Sequence, residues 1–140
     1  MNRVIEFRGQ TDIKEWVFGD LVQQEKTQWK AILKKDSDLF EPIEVIKETV
    51  SEFIGYCANN DKKIYENDIL WFTFFYYSQS EIEVKKLGIV KYIKGSFVFW
   101  VSEEEYYCFS ELSFDSSMDI EIRGNVFDNP EMLLSDGSVK

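Results

Sequence analysis

Nine consecutive residues, Ile69 to Tyr77, read ILWFTFFYY. A run of nine is too short to cross a bilayer as a helix. Its aromatic content suits a pleated, packed surface better than a helix. As a strand it shows Ile69, Trp71, Thr73, Phe75 and Tyr77 on one face and Leu70, Phe72, Phe74 and Tyr76 on the other. Both faces are apolar, so the strand is expected to lie centrally with cover on both sides. A chain with 44% hydrophobic residues has the apolar material to supply that cover. A spare face held against another molecule is the competing arrangement.

Shorter strand patterns surround this run. "RVIEF" (Arg3–Phe7) alternates loosely, and "EWVFGDLVQQ" (Glu15–Gln24) is apolar with Gly19 at its middle, where a bulge or turn is expected. "TQWKAILKK" (Thr27–Lys35) sets Trp29, Ala31 and Leu33 at period two, although helix stays open for 27–35. "IEVIKETVSEFIGY" (Ile43–Tyr56) reads as strand, break and strand, with helix open over 48–53. "CANNDKK" (Cys57–Lys63) is a turn. "YSQSEIEVKK" (Tyr77–Lys86) is polar and is expected as a loop. "LGIVKYIKGSFVFWV" (Leu87–Val101) predicts a hairpin turning at Lys94-Gly95.

Farther on, "EEEYYCFSELSF" (Glu103–Phe114) starts acidic and is expected to end in a short strand and turn, and "MDIEIRGNVF" (Met118–Phe127) alternates as a half-buried strand. Asn129 is placed to cap a short final helix with Pro130 at its first position. Many short strands with tight turns predict a mainly β roll or barrel. Three regions are expected: an N-terminal β element over 1–47, the main β roll over 48–134 and a disordered tail over 135–140.

The residue inventory narrows the chemistry. The chain has no histidine, which removes Ser/His/Asp and Cys/His arrangements. Cys57 and Cys108 stand far apart without metal-ligand spacing and are read as buried structural thiols. Glu66 and Asp68 are close enough in sequence to suggest a metal pair, yet as turn residues they more often accept hydrogen bonds from backbone amides. "GSF" at Gly95 and "SDGS" at Ser135 lack the glycine spacing and lysine of a phosphate loop. No catalytic residue, metal or cofactor is expected, and the chain is read as a non-enzyme. The start, "MNRVIEFRGQ", lacks the apolar stretch of a signal peptide, so a cytoplasmic location in the host cell is expected, with no membrane partner.

Charge supplies the functional expectation. The formal net charge is −10. Residues 1–100 hold 14 basic and 16 acidic residues, whereas residues 101–140 hold 2 basic and 10 acidic. Direct nucleic-acid binding is disfavoured, because phosphate neutralisation needs clustered Lys and Arg. Between Val101 and Ile122 there is no Lys or Arg. If its carboxylates share a face, that face imitates strand phosphates and fits a protein with a basic groove. The expected partner-binding residues are Glu103, Glu104, Glu105, Tyr106, Tyr107, Glu111, Asp115, Asp119 and Glu121, the tyrosines serving as aromatic anchors.

Three segments resemble the YopX family of phage and prophage proteins: "ETVSEFIGYCANNDKKIYENDIL" (Glu48–Leu70), "LGIVKYIKGSFVF" (Leu87–Phe99) and "IRGNVFDNPEML" (Ile122–Leu133). The opening "IEFRG" and "EWVFG" are similar to the same family's start. Asn67 stands where the family usually has Gly, a mild departure because Asn tolerates the left-handed backbone region. The family's usual Asn-Gly turn likewise appears as Asn59-Asn60-Asp61-Lys62. The resemblance implies an SH3-like β roll preceded by a small N-terminal β element and followed by a short C-terminal helix. It implies a temperate-phage accessory protein and no reaction. Its motifs look structural, with Gly124 and Pro130 fixing backbone and Ile64, Tyr65 and Ile69 fixing packing. The resulting expectation is a phage-encoded protein whose acidic C-terminal face engages a basic host or phage protein. A nucleic-acid-processing or defence protein, such as a CRISPR effector, is the target class that lifestyle suggests. An oligomeric structural or assembly protein is the alternative, and the oligomeric state stays open.

Overall fold

A computed structural model describes residues 3–34, 41–77, 81–111 and 119–139, with backbone alone at 74–77, 81–83 and 111. The chain is mainly β, as expected, and divides into two compact units, Met1–Gly55 and Tyr56–Lys140. The strands are β1 (Phe7–Gln10), β2 (Trp16–Gln24), β3 (Trp29–Lys34), β4 (Ile43–Glu44), β5 (Ser51–Cys57), β6 (Lys63–Tyr65), β7 (Asp68–Tyr77), β8 (Glu81–Ile93), β9 (Ser96–Ser102), β10 (Glu105–Cys108) and β11 (Asp119–Asn125).

In the first unit, antiparallel strands run in the order β4-β3-β2-β1-β5. Val17, Ile32 and Val45 form its core, flanked by Phe7, Leu21, Ile43 and Val50. Residues 29–34 are strand, in keeping with the period-two reading. Between β4 and β5 the break is a single 3₁₀ turn, Lys47–Thr49. Thr49 secures it: its hydroxyl accepts from the Gln10 amide at 2.8 Å and donates to the Ile46 carbonyl at 2.6 Å. β5 pairs Ser51 and Glu52 with Arg8 and Phe7, which draws residues 48–55 into the first unit rather than into a roll beginning at 48. Gly19 makes no bulge. β2 runs through it without a break, the β1–β2 ladder ending and the β2–β3 ladder beginning there, and the glycine serves a close approach to Leu33.

The second unit carries a five-stranded antiparallel sheet in the order β10-β9-β8-β7-β11. β7 is interior, and up to Thr73 its side chains are buried on both faces apart from Trp71: Ile69, Leu70 and Phe72 are wholly buried and Thr73 nearly so, while Trp71 is half-buried. Ile69 joins Ile89, Val98 and Trp100 in one cluster. On the alternate register Phe72 meets Phe99 at 5.1 Å between ring centroids, and Phe99 stacks on Tyr107 at 6.5 Å. The β8–β9 hairpin turns at Lys94 and Gly95, whose φ angles of 51° and 83° are the two positive values a type I′ turn needs.

The family motifs act structurally. Asn67 takes the left-handed conformation (φ 75°) in the β6–β7 turn, where the Asp68 carboxylate accepts from the Tyr65 amide at 2.8 Å. Ile64, Tyr65 and Ile69 are buried. At the other motif, a Cβ on Gly124 would lie 2.2 Å from Asn129 Oδ1, so only glycine lets that amide approach the Asn125 N–H, 3.2 Å away. Pro130 does open the last turn, but Asn129 caps nothing with its side chain, and the expected helix is one 3₁₀ turn, Pro130–Met132.

Four further expectations are corrected. Glu81–Lys86 is strand, because Ile82 and Val84 alternate with Glu81, Glu83 and Lys85 opposite β7. Residues 135–139 are not a disordered tail: Leu133 bridges Val139, and Val139 packs on the Ile69 cluster. Cys57 is exposed rather than buried, while Cys108 is half-buried against that cluster. The SH3-like barrel is not closed, since β10 and β11 remain unpaired edges of an open sheet among the described residues.

Candidate partner-binding surface

The acidic run begins at the β9–β10 turn. Ser102 pairs with Glu105 and its hydroxyl accepts from the Glu104 amide at 3.3 Å, leaving Glu103 and Glu104 exposed at the tip. A register shift follows between Glu105 and Tyr106. Glu105 is turned to internal use: its Oε2 accepts from Lys86 Nζ and from the Tyr107 hydroxyl. The Lys86 hydrogen bond first, and the Tyr107 one second, hold the Glu105 carboxyl below its ordinary range. Tyr107 is thereby fixed inward on Phe99, whereas Tyr106, opposite Trp100 in the ladder, is 41% exposed.

A carboxyl held below its ordinary pKa adds stability that is present above the unfolded-state pKa and lost as pH falls through the folded value. Glu105→Gln is therefore expected to cost about 0.5 kcal/mol at neutral pH, a figure kept small because the pair is partly solvated. The deficit should vanish once the pH is below the depressed Glu105 value. Urea titrations of both proteins from pH 7 downward check this, and a gap unchanged with pH would refute the ion pair's contribution.

Below the tip, Lys91 Nζ sits 3.4 Å from the centroid of the Trp100 ring. Burial pushes the Lys91 ammonium below its ordinary pKa, and Glu103 opposes that shift. The tryptophan itself is nearly buried. Trp100, Ser102, Glu103, Glu104 and Asp136 line a cleft of about 340 Å³. Asp136 reaches it from the terminal turn, in which the Leu134 amide donates to the Ser138 carbonyl at 2.7 Å. Its Oδ1 accepts from the Ser138 hydroxyl at 2.6 Å and from the Ser138 amide at 3.0 Å, and both bonds, the hydroxyl's foremost, lower its pKa. Sequence reasoning missed Asp136, Lys91 and Trp100. For Asp136 a signal was present, since Asp before Gly within "SDGS" marks a tight turn.

The acidic run is not one surface. Asp119 and Glu121 lie on β11, the opposite edge of the sheet from β10, with three strands between. Both are committed locally: Asp119 accepts from Asn59 Nδ2, and Glu121 pairs with Arg123 Nε at 3.1 Å. Arg123 also covers the Trp71 ring, 5.5 Å from its centroid. Glu111 ends a 3₁₀ turn described by backbone alone, and Asp115 lies outside the described residues.

A larger hollow of about 600 Å³ lies in the first unit, at the β2–β3 turn beside β4 and the Lys47–Thr49 turn. Lys30, Lys47, Glu44 and Glu48 all line it, and Lys47 already meets Gln28 Oε1 at 2.6 Å and Glu48 at 3.9 Å. With charges so balanced it selects no charged partner, and the smaller acidic cleft is the better candidate.

No helix among the described residues is long and apolar enough to cross a membrane. A family model described as YopX protein matches residues 6–134. No curated protein matches the chain.

Proposed function

Because the chain belongs to the YopX family, a membership that points to a phage-type protein, we propose that it is a non-enzymatic binding protein whose acidic corner engages a basic surface on a host protein. The corner comprises Glu103, Glu104 and Asp136 around Trp100, with Tyr106 beside it. The observation that carries the reading is this convergence of three exposed carboxylates from two separate turns on a tryptophan-floored cleft. A partner's Lys or Arg entering the cleft would meet carboxylates on both sides, and Tyr106 would supply the exposed aromatic contact that interfaces favour. Charge of this kind speeds encounter and makes binding salt-dependent. The target class is a host nucleic-acid-processing or defence protein, since such proteins carry the basic grooves that an acidic corner fits.

Capture from host lysate, washed with rising salt, tests the reading alongside the variant Glu103→Lys/Glu104→Lys/Asp136→Lys. These side chains are exposed, so the variant should stay folded and unfold only slightly below the wild-type temperature, the difference coming from the two Ser138 bonds that Asp136→Lys removes. It should retain its partner at least about tenfold less well. Capture indifferent both to salt and to the triple reversal would overturn the proposal.

A further inference from the structure

The hollow of about 600 Å³ in the first unit gathers its lining from three strands and two turns. Gln24 of β2 stands directly opposite Trp29 of β3, and Glu44 of β4 stands opposite Ala31, two places farther along β3. Residues directly opposed or two apart share a sheet face, so Gln24, Trp29 and Glu44 lie on the same one. Ile46 follows in extended conformation (φ −69°, ψ 118°) and is 42% exposed. It lines the hollow together with the half-buried Trp29. An indole and an isoleucine are thus bordered by amides and carboxylates, in a space within the range of about 300–1,000 Å³ that small-ligand sites occupy.

The polar rim is already organised. Gln24 Oε1 accepts from the Thr27 hydroxyl at 3.2 Å, and Gln28 Oε1 accepts from Lys47 Nζ at 2.6 Å. With the oxygen of each amide engaged, its nitrogen is the part that serves a ligand. Lys30 is held by Gln23 Oε1, and Lys47 by Gln28 and Glu48, so neither ammonium offers an unanswered charge. Gln28 itself sits at φ 56°, a left-handed conformation that glycine or asparagine adopts with less strain. Backbone strain of this kind concentrates at ligand sites.

We infer that this hollow binds a neutral saccharide, with the apolar face of a pyranose ring stacked on Trp29. The ring's C–H bonds carry the partial positive charge that the face of an indole attracts. A sugar hydroxyl both donates and accepts, so neighbouring hydroxyls need an acceptor beside a donor. Glu44 and Glu48 supply the acceptors, and the amide nitrogens of Gln24 and Gln28 supply the donors. An anion would have to displace the internal partners of Lys30 and Lys47, and a cation would meet those same two ammonium groups. A wholly apolar ligand would strip water from the amides and carboxylates without replacing its hydrogen bonds. A neutral, hydroxyl-rich ligand incurs none of these penalties.

This site lies in the first unit and does not depend on the acidic cleft. Nitrogen-15 NMR of the full chain, titrated separately with glucose, galactose, mannose, N-acetylglucosamine, maltose and cellobiose, tests it. At least one of these sugars is expected to shift, saturably, the Trp29 indole N–H and the side-chain amides of Gln24 and Gln28. Free glutamate and arginine, as charged probes, should give no saturable shift. Trp29→Ala should raise the sugar's dissociation constant at least about tenfold, through loss of the stacking platform. Gln28→Gly should raise it about fivefold, the worth of one hydrogen bond. That second variant also relieves the left-handed backbone, so it should melt close to the wild-type temperature and serves if Trp29→Ala fails to fold. No saturable shift with any of the six sugars, shifts confined to residues away from the hollow, a response to glutamate or arginine as strong as to the best sugar, or unchanged sugar binding by folded Gln28→Gly would each overturn the assignment.

Discussion

Phe72→Ala is expected to remove about 3–5 kcal/mol of folding free energy, among the largest losses from a single side-chain truncation in the second unit. Phe72 is wholly buried on an interior strand, held between Lys86 of β8 and Ile120 of β11. Strands on both flanks prevent the backbone from sliding to fill the space left by the ring. Phe99, 5.1 Å away and itself wholly buried, would lose its aromatic neighbour, and Tyr107 stacks on Phe99 in turn. The gap thus opens at the head of a three-ring column. Since whole domains are stable by only about 5–15 kcal/mol, the variant should be close to unfolding at physiological temperature. Phe72→Leu keeps most of the volume and should cost about 1.5 kcal/mol. Urea unfolding followed by tryptophan fluorescence checks both. A loss under about 1 kcal/mol for the alanine variant would mean that this face is not the core.

β7 was legible because its constraint is local: nine residues in a row, all apolar or aromatic but Thr73, admit few solutions. Its partner β8 was half legible. Leu87–Ile93 is apolar and reads as strand, but Glu81–Lys86 is polar enough to pass for a loop, and only the alternation of Ile82 and Val84 betrays it. That alternation has force once β7 lies opposite, which is a non-local fact. The acidic face failed for the same reason. Spacing along the chain places Glu103 and Glu121 in one charged stretch, whereas sheet order puts β10 and β11 on opposite edges. Nothing in the seventeen intervening residues announces the order in which strands assemble. Asp136 was lost by a different route, because a polar C-terminal segment reads as a tail until Val139 is seen packed on the core. Asn129 shows the limit of a short motif. Asn before Pro suits a helix cap, yet the amide instead accepts from Asn125, since a single 3₁₀ turn makes little demand for a cap.

In the first unit the most severe single-atom change is Gly19→Ala, and the cause is backbone rather than side chain. A Cβ at Gly19 would lie 2.0 Å from the Leu33 carbonyl oxygen and 2.8 Å from its carbonyl carbon. Side chains can swing away from such a contact, but this oxygen belongs to β3, which is locked to β2 over six residue pairs. β2 cannot retreat either, since Gly19 faces Phe7 of β1 on its other side. Relief requires parting one ladder, and the expected cost is about 3 kcal/mol, the upper part of the range for overpacking. Gly19 also holds φ at 158°, near the limit of what an L side chain accepts, so conformational strain must be separated from collision. Gly55 provides the control. It has φ 93° and nothing within 4 Å of a built Cβ, so Gly55→Ala carries strain alone, about 1–2 kcal/mol. Hydrogen exchange should show the Gly19→Ala loss concentrated in the β1–β3 amides. If Gly19→Ala costs no more than Gly55→Ala, the two strands do not approach as closely at Leu33 as the structure places them.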